Sequence, residues 1–309
     1  MCNAYNHEQY IRSALEGFVM QKTTFPYEVL VHDDASTDKT ADIIREYQKK
    51  YPEIIKPIYE TENQYSKGDG SLDRIQYGRV KGKYIALCEG DDYWTDPLKL
   101  QKQYDVLESN PDIDICATSA KTERNGKIEG KIAPASENKI FTIEDVIEGG
   151  GGFVATASLM HRTSIRSNPP RFLRMMSLDY FIQIAGALHG GMAYLAEPTC
   201  VYRLETNGSW TTRMKHNRDK YKQHTEKVER TLVCLDEETS KKYHNVIMKK
   251  IQNNKFTDLV SEREYKTVCL PEYTECFKKL PYRKQMIMRL GKCFPRGVNL
   301  IWEIWQKVK

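Results

Sequence analysis

The chain has 309 residues, of which 40% are hydrophobic and 29% charged. This is the composition of a globular protein, and it excludes wholesale disorder. The net charge of +5 is modest and no aromatic–basic reading motif accompanies it, which excludes nucleic acid as the expected partner.

In chain order, residues 1–6 open as a loop-like polar run, MCNAYN, with no strand before it. HEQYIRSALEGFVMQ, residues 7–21, places Tyr10, Ile11, Ala14, Leu15, Phe18 and Val19 on one helical stripe. YEVLVHDD reads as a short buried strand ending in Asp33 and Asp34. The helix ASTDKTADIIREYQKK follows, with Ser36 as its expected N-cap. IIKPIYET is a second strand, NQYSKGDGS a polar loop, and KYIALC, residues 83–88, a third strand running directly into EGDD. Residues 98–109 read as a helix and DIDICATSA as a strand. Strands alternating with helices predict an α/β fold with a doubly wound, mostly parallel sheet flanked by helices. In such sheets ligands gather beyond the carboxyl ends of the strands, where both acidic pairs lie.

Beyond residue 117 the pattern changes. TERNGKIEGK predicts a hairpin turning at Asn125–Gly126. Glu148–Gly152 is a loop, FVATASLMHR a strand, and residues 177–189 a helix stopped by Gly190–Gly191. MAYLAEPTCVYRLE is strand-like and TNGSWTTR a loop. From 214 onward the chain is rich in Lys, Arg, Glu and Tyr and reads as a helical C-terminal extension. Three parts are therefore expected: 1–116, 117–213 and 214–309. The eight cysteines have irregular spacing and form no CxxC, so they read as reduced thiols of a cytoplasmic protein. No signal peptide is visible, and no stretch approaches the roughly 18 apolar residues of a membrane span.

Adjacent carboxylates after a run as apolar as YIAL repel each other and are costly to desolvate. A hard divalent cation would relieve both costs, and Mg²⁺ or Mn²⁺ takes one or two carboxylates together with substrate phosphates. Alone, Asp91–Asp92 would pass for a solvated turn capped at Asp96–Pro97; the second acidic strand end, HDDASTD, favours the metal.

CNAYNHEQYI, VLVHDDASTDKTADIIREY, KGKYIALCEGDDYWTDPLKL and SLDYFIQ together resemble the inverting nucleotide-sugar glycosyltransferases of family two, which have the GT-A fold. The resemblance covers about residues 2–210. It implies a first loop that holds the nucleotide base, here Asn3 and Tyr5, and an acidic pair for base and ribose, here Asp33 and Asp34, with Asp34 favoured. It implies that Asp92 ligates the metal while Asp91 contacts the ribose or the metal. The catalytic base it implies is Asp179 of SLDYF, which without the resemblance would read as an acid favoured by the helix dipole. The donor it implies is a nucleotide-sugar, first of all a UDP-sugar, and the acceptor a glycan or lipid-linked sugar of bacterial surface polysaccharide assembly.

Three departures from the family stand out. Its first strand is missing ahead of CNAYN, which leaves open a non-catalytic nucleotide-sugar-binding subunit. Glu205 stands where many relatives carry a histidine near the metal, so it is a candidate metal ligand. The Gln-x-x-Arg-Trp signature of processive relatives is absent, which favours transfer of a single sugar. A sugar-phosphate nucleotidyltransferase is the other alternative, although its Gly-rich basic loop is lacking. Lys67, Arg74 and Arg79 are candidates for the diphosphate or equally for a solvated loop, and His7, His32, His161 and His189 read as structural. The basic, Trp-containing tail, with Met286, Ile287, Leu290, Phe294, Leu300, Ile301, Trp302, Ile304 and Trp305, fits either a bilayer interface at the inner face of the plasma membrane or packing on protein.

Overall fold

The computed structural model describes residues 1–206 and 217–298. They form two compact units, Met1–Glu238 and Thr239–Lys309. The helix Arg218–Glu238 belongs to the first unit, so the division falls beyond the expected boundary at 213/214.

The first unit begins with the parallel strands β1 (Cys2–Ala4), β2 (Val29–Asp33) and β3 (Ile55–Tyr59), in the order β1-β2-β3. The expected absence of a first strand is thereby corrected: Cys2–Ala4 pairs with Val31–Asp33, and Cys2 and Ala4 are buried in the core. Pro57 sits in the edge strand β3, where its missing N–H costs no ladder bond. A second sheet runs β4 (Tyr84–Ala86), β9 (Met160–Arg162), β6 (Ile115–Arg124), β10 (Met192–Arg203) and β5 (Tyr93–Trp94). On it, β7 (Lys127–Ile132) pairs with β6 and β8 (Lys139–Phe141) with β10. The parallel character lies in the first sheet and in the β6–β10 pair; the other pairings of the second sheet are antiparallel.

Main-chain hydrogen bonds join the two sheets. Cys88 N donates to Met1 O at 3.1 Å and Gly90 N to Asn3 O at 2.9 Å, a parallel step between β1 and the continuation of β4. The order β3-β2-β1-β4 therefore reverses direction between β1 and β4, the place where open α/β sheets bind ligands.

Helix α1 (Ile11–Val19) buries Ile11, Ala14, Leu15 and Phe18, the stripe expected from the sequence. Helix α2 (Thr40–Lys50) starts later than expected. Ser36 is not its cap; Ser36 Oγ accepts the Asn6 N–H at 2.9 Å, while Asp38 Oδ1 accepts the Thr40 N–H at 2.9 Å. The loop expected at 63–71 holds a 3-10 turn at Tyr65–Lys67 and is followed by helix α3 (Ser71–Gly78). A tertiary contact holds α3: buried Gln76 donates to Cys2 O at 3.1 Å and Asn3 Oδ1 at 3.0 Å. Helix α4 (Lys99–Ser109) lies where expected. The hairpin turns at Asn125 (φ 49°) and Gly126 (φ 76°), the left-handed pair a two-residue turn requires.

Helix α5 (Ile143–Gly149) opens with a capping box between Thr142 and Asp145. FVATASLMHR is not one strand: a 3-10 turn, Thr156–Ser158, precedes β9. Two short helices, α6 (Ser164–Ser167) and α7 (Arg171–Met175), lead to α8 (Asp179–Ala187). The second unit has its own core of Phe256, Tyr265, Val268, Tyr273, Cys276, Phe277, Met288 and Val298. Among the described residues every cysteine is free, and no helix is long and apolar enough to cross a membrane.

Candidate active site

The carboxyl ends of β1, β2 and β4 carry the first group of expected site residues. Ala4 pairs with Asp33, and Asp34 N donates to Ala4 O at 2.9 Å, which sets the Asn3–Tyr5 and Asp33–Asp34 segments side by side. Tyr5 is exposed. Asn3 is half-buried, accepting from Gln76 and donating to Glu89 Oε1 at 3.4 Å.

The two acids of the first pair have separate tasks. Asp34 is 3% exposed, and its carboxylate accepts the main-chain N–H groups of Gln64 (2.6 Å) and Tyr65 (3.0 Å). It fastens the 3-10 turn over the strand ends. Asp33 is 2% exposed, burial holds its carboxyl above the usual range, and its Oδ1 has no hydrogen-bond partner. Of the two, the unmet buried acceptor belongs to Asp33.

Beyond β4 comes Glu89-Gly90-Asp91-Asp92. A Cβ on Gly90 would stand 2.8 Å from His7 Nδ1 and 3.1 Å from the Ala4 Cβ, so only glycine lets this loop close against β1. Asp92 is 2% exposed and Oδ1 accepts the Arg203 N–H at 2.8 Å. Burial first, then Asp91 and Glu89, push its carboxyl well above the ordinary carboxylate value. Asp91 Oδ2 accepts from Thr206 Oγ1 at 2.8 Å, and Asp91 O accepts from Arg203 Nη1 at 2.8 Å. Burial and Asp91 push Glu89 up to about 8. Three acids therefore crowd one strand end. Glu89 and Arg203 were not singled out from the sequence, although Glu89 directly precedes GDD and Arg203 lies in the Tyr–Arg pair beside Glu205.

Glu205 follows β10 and is paired with a base. Its backbone is left-handed (φ 57°), and its carboxylate binds Arg124 at the end of β6 rather than joining Asp91 and Asp92. Among the described residues no three His, Cys, Asp or Glu side chains converge in a metal-holding group. The basic candidates are likewise engaged locally: Lys67 with Gln64 and Glu62, Arg74 with Asp69 and Ser71, and Arg79 with the carbonyls of Val31 and Lys56. Buried His32 and His161 are held neutral by desolvation, His161 at about 4. Most of the loop after Thr206, and tail residues Leu300, Ile301, Trp302, Ile304 and Trp305, lie outside the described residues.

Asp179 opens α8. Its Oδ2 accepts from Thr156 Oγ1 at 2.6 Å and its Oδ1 from Tyr180 N at 2.7 Å. Burial raises its proton affinity and the two donors lower it, with a net shift above the usual carboxylate value. One short turn links this acid to the acidic loop. Trp94, two residues after Asp92, donates from Nε1 to Ala157 O at 2.9 Å, and Ala157 adjoins Thr156.

Comparison with known proteins adds four findings. The model of glycosyl transferase family 2 matches residues 3–179. An uncharacterized protein of Mycobacterium tuberculosis is 36% identical over 208 residues, which are 67% of this chain and 58% of that protein. The poly(ribitol-phosphate) beta-glucosyltransferase of Bacillus spizizenii is 38% identical over 92 residues, 29% of this chain and 14% of that one. The structure of S. aureus TarS in complex with UDP-GlcNAc superimposes with a TM-score of 0.60 at 17% identity, covering 92% of this chain and 81% of that one, a likeness of fold.

Proposed function

From the chain's membership of glycosyl transferase family 2, we propose that it moves one sugar from a nucleotide-sugar, first of all a UDP-sugar, to a hydroxyl group of a glycan or lipid-linked acceptor in bacterial surface polysaccharide assembly. The observation that carries this reading is the coupling of two acidic centres through one turn: Asp92 with Trp94 on one side, Asp179 with Thr156 on the other. The TarS complex with UDP-GlcNAc and the poly(ribitol-phosphate) beta-glucosyltransferase support the donor class and the setting.

Asn3, Tyr5 and Asp33 are assigned to the nucleoside, with the unmet Oδ1 of Asp33 as the acceptor for a base or ribose donor. Asp34 shapes that pocket through Gln64 and Tyr65. A hard divalent cation takes one or two carboxylates together with substrate phosphates, and one at the end of β4 would relieve Asp92, which is desolvated and crowded by Asp91 and Glu89. Asp92, with Asp91 beside it, is assigned that ion, and Mg²⁺ or Mn²⁺ held there would neutralise charge on the departing nucleoside diphosphate. Glu205 has no part in this assignment while Arg124 holds it. Asp179 takes the proton of the acceptor hydroxyl, and attack opposite the leaving group inverts the anomeric centre. Because burial raises Asp179, turnover falls as pH drops through a value above the ordinary carboxylate range.

The C-terminal unit supports a peripheral membrane contact. The helix Tyr282–Cys293 turns Met288 inward and leaves Tyr282, Met286, Leu290 and, just beyond its end, Phe294 exposed at four-residue spacing. Arg283, Lys284, Arg289, Lys292 and Arg296 flank that stripe, and no acid lies between Lys278 and Val298. An apolar stripe edged with bases suits an anionic bilayer surface.

The test is a panel of UDP-, GDP- and dTDP-sugars incubated with the chain in Mn²⁺ and in chelator. Nucleoside diphosphate release from one donor, abolished by the chelator, is the expected result. Pyrophosphate release would turn the reading to nucleotidyl transfer, and nucleotide binding without turnover to a binding subunit.

A further inference from the structure

We infer that Thr156 is a positioning residue for the base: its hydroxyl orients the Asp179 carboxylate and keeps it ionised in a buried site. This rests on the assignment of Asp179 as base, and goes beyond it by naming the group that tunes it.

The geometry carries the inference. Thr156 Oγ1 lies 2.6 Å from Asp179 Oδ2, the range of a charge-assisted O–H···O⁻ bond. Oδ1 is taken by Tyr180 N at 2.7 Å, so the carboxyl plane is pinned at both oxygens. The donor is itself held rigidly. The turn Thr156–Ser158 is anchored by Trp94 Nε1 on Ala157 O, by Gln103 Nε2 on Ser158 O at 2.8 Å, and by Ser158 Oγ on Ala155 O at 2.6 Å. Gln103 is in turn fixed by the buried Lys99, whose Nζ donates to Gln103 Oε1 at 2.6 Å and lies 4.6 Å from the Trp94 ring centroid. A hydroxyl on so fixed a turn has one consistent target.

Among the described residues the hydrogen bonds of the Asp179 carboxylate come from Thr156 and Tyr180, not from a charged side chain. Glu144 and Glu148 on α5 and Arg174 on α7 are exposed. Arg166 on α6 donates to Ser177 Oγ at 2.9 Å and faces Asp73 at 3.9 Å. On the sheet side, Glu123 of β6 pairs with Arg203 of β10. The influences on the Asp179 proton are its burial and the two hydrogen bonds. Burial favours the neutral acid, and the Thr156 hydroxyl opposes that.

The test reads the proton directly and needs no substrate. The chain is labelled with ¹³C at the Asp carboxyl carbon, and the Asp179 resonance is assigned by its absence in Asp179→Asn. Its titration is followed in the parent, Thr156→Val and Thr156→Ser. In Thr156→Val the midpoint should move up by about one pH unit, and Thr156→Ser should restore it. The acid limb of nucleoside diphosphate release from UDP-GlcNAc with Mn²⁺ should move the same way, roughly tenfold in rate on that limb, with the donor KM unchanged. An unmoved midpoint in folded Thr156→Val, or in Thr156→Ala if the valine variant fails to fold, overturns the inference. A moved midpoint beside full transfer by Asp179→Asn overturns the base assignment alone, leaving the hydrogen bond but removing its catalytic meaning.

Discussion

Ala35 stands directly after the acidic pair of β2 with φ of 62°, a left-handed backbone that a Cβ disfavours. Glycine meets no such penalty, and the strain sits beside the proposed nucleoside pocket. Ala35→Gly is expected to stabilise the chain by about 0.5–1 kcal/mol, since relief of strain outweighs the extra freedom of the unfolded glycine. A urea denaturation midpoint that stayed put or fell would show that the loop is unstrained. The two acidic centres separate by the step each affects. Asp92→Ala should abolish metal-dependent donor binding in calorimetry, because one carboxylate is lost from a site with few. Asp179→Asn should keep donor binding and lose roughly 10²–10⁴-fold in turnover, the usual worth of a general base. Retained turnover in Asp179→Asn would remove it from the mechanism. The acids were legible in the sequence because each ends an apolar run. Their separate tasks were not, because Asp34 meets its partners 30 and 31 residues away, at Gln64 and Tyr65.

At the scale of elements, the sequence located α1, α4 and α8 and the strands β2, β3 and β10; α1 buries its expected apolar stripe, whereas β2 and nearly all of α8 are buried on every side. It missed α3, whose anchor is one polar side chain, Gln76, bonded to β1. It also read Thr156–Ser158 as strand, because a 3-10 turn inside a short apolar run has no period of its own. The helix Tyr282–Cys293 carries an outward apolar stripe, and its prediction belongs here. The chain should co-sediment with phosphatidylcholine vesicles containing phosphatidylglycerol, bind less at high salt, and ignore vesicles of phosphatidylcholine alone. Leu290→Glu with Phe294→Glu should abolish the binding while leaving donor hydrolysis intact. Equal binding to both vesicle types, or none, would rule out the anionic surface as partner.

On the scale of the whole molecule, β9 joins the two halves of the large sheet, and His161 sits at its middle, opposite Ile85 of β4 and Ile115 of β6. Its side chain is fully buried, and desolvation holds it at about 4 against 6.5 for the free group. Between those values the unfolded chain binds a proton that the folded chain does not, so stability falls as pH drops from about 6.5 through about 4. The full loss approaches about 3 kcal/mol, at roughly 1.4 kcal/mol per unit. Unfolding curves across that range should flatten in His161→Gln relative to the parent; the same slope in both would assign the acid sensitivity to other groups.

The sequence by itself determined the α/β class, the acidic strand ends, the acid that opens α8 and the helical C-terminal region. Each depends on local periodicity or on a charge set against an apolar run, which are properties of neighbouring residues. Only the tertiary structure decided which oxygen of Asp33–Asp34 is left unmet, that Glu205 answers to Arg124, that β1 bridges two sheets, and that Thr156 reaches Asp179. These are contacts between residues from 23 to 87 positions apart in the chain, and the physical reason is common to them all. A hydrogen bond's worth depends on which partner arrives when water leaves, and that is settled by packing rather than by spacing along the chain.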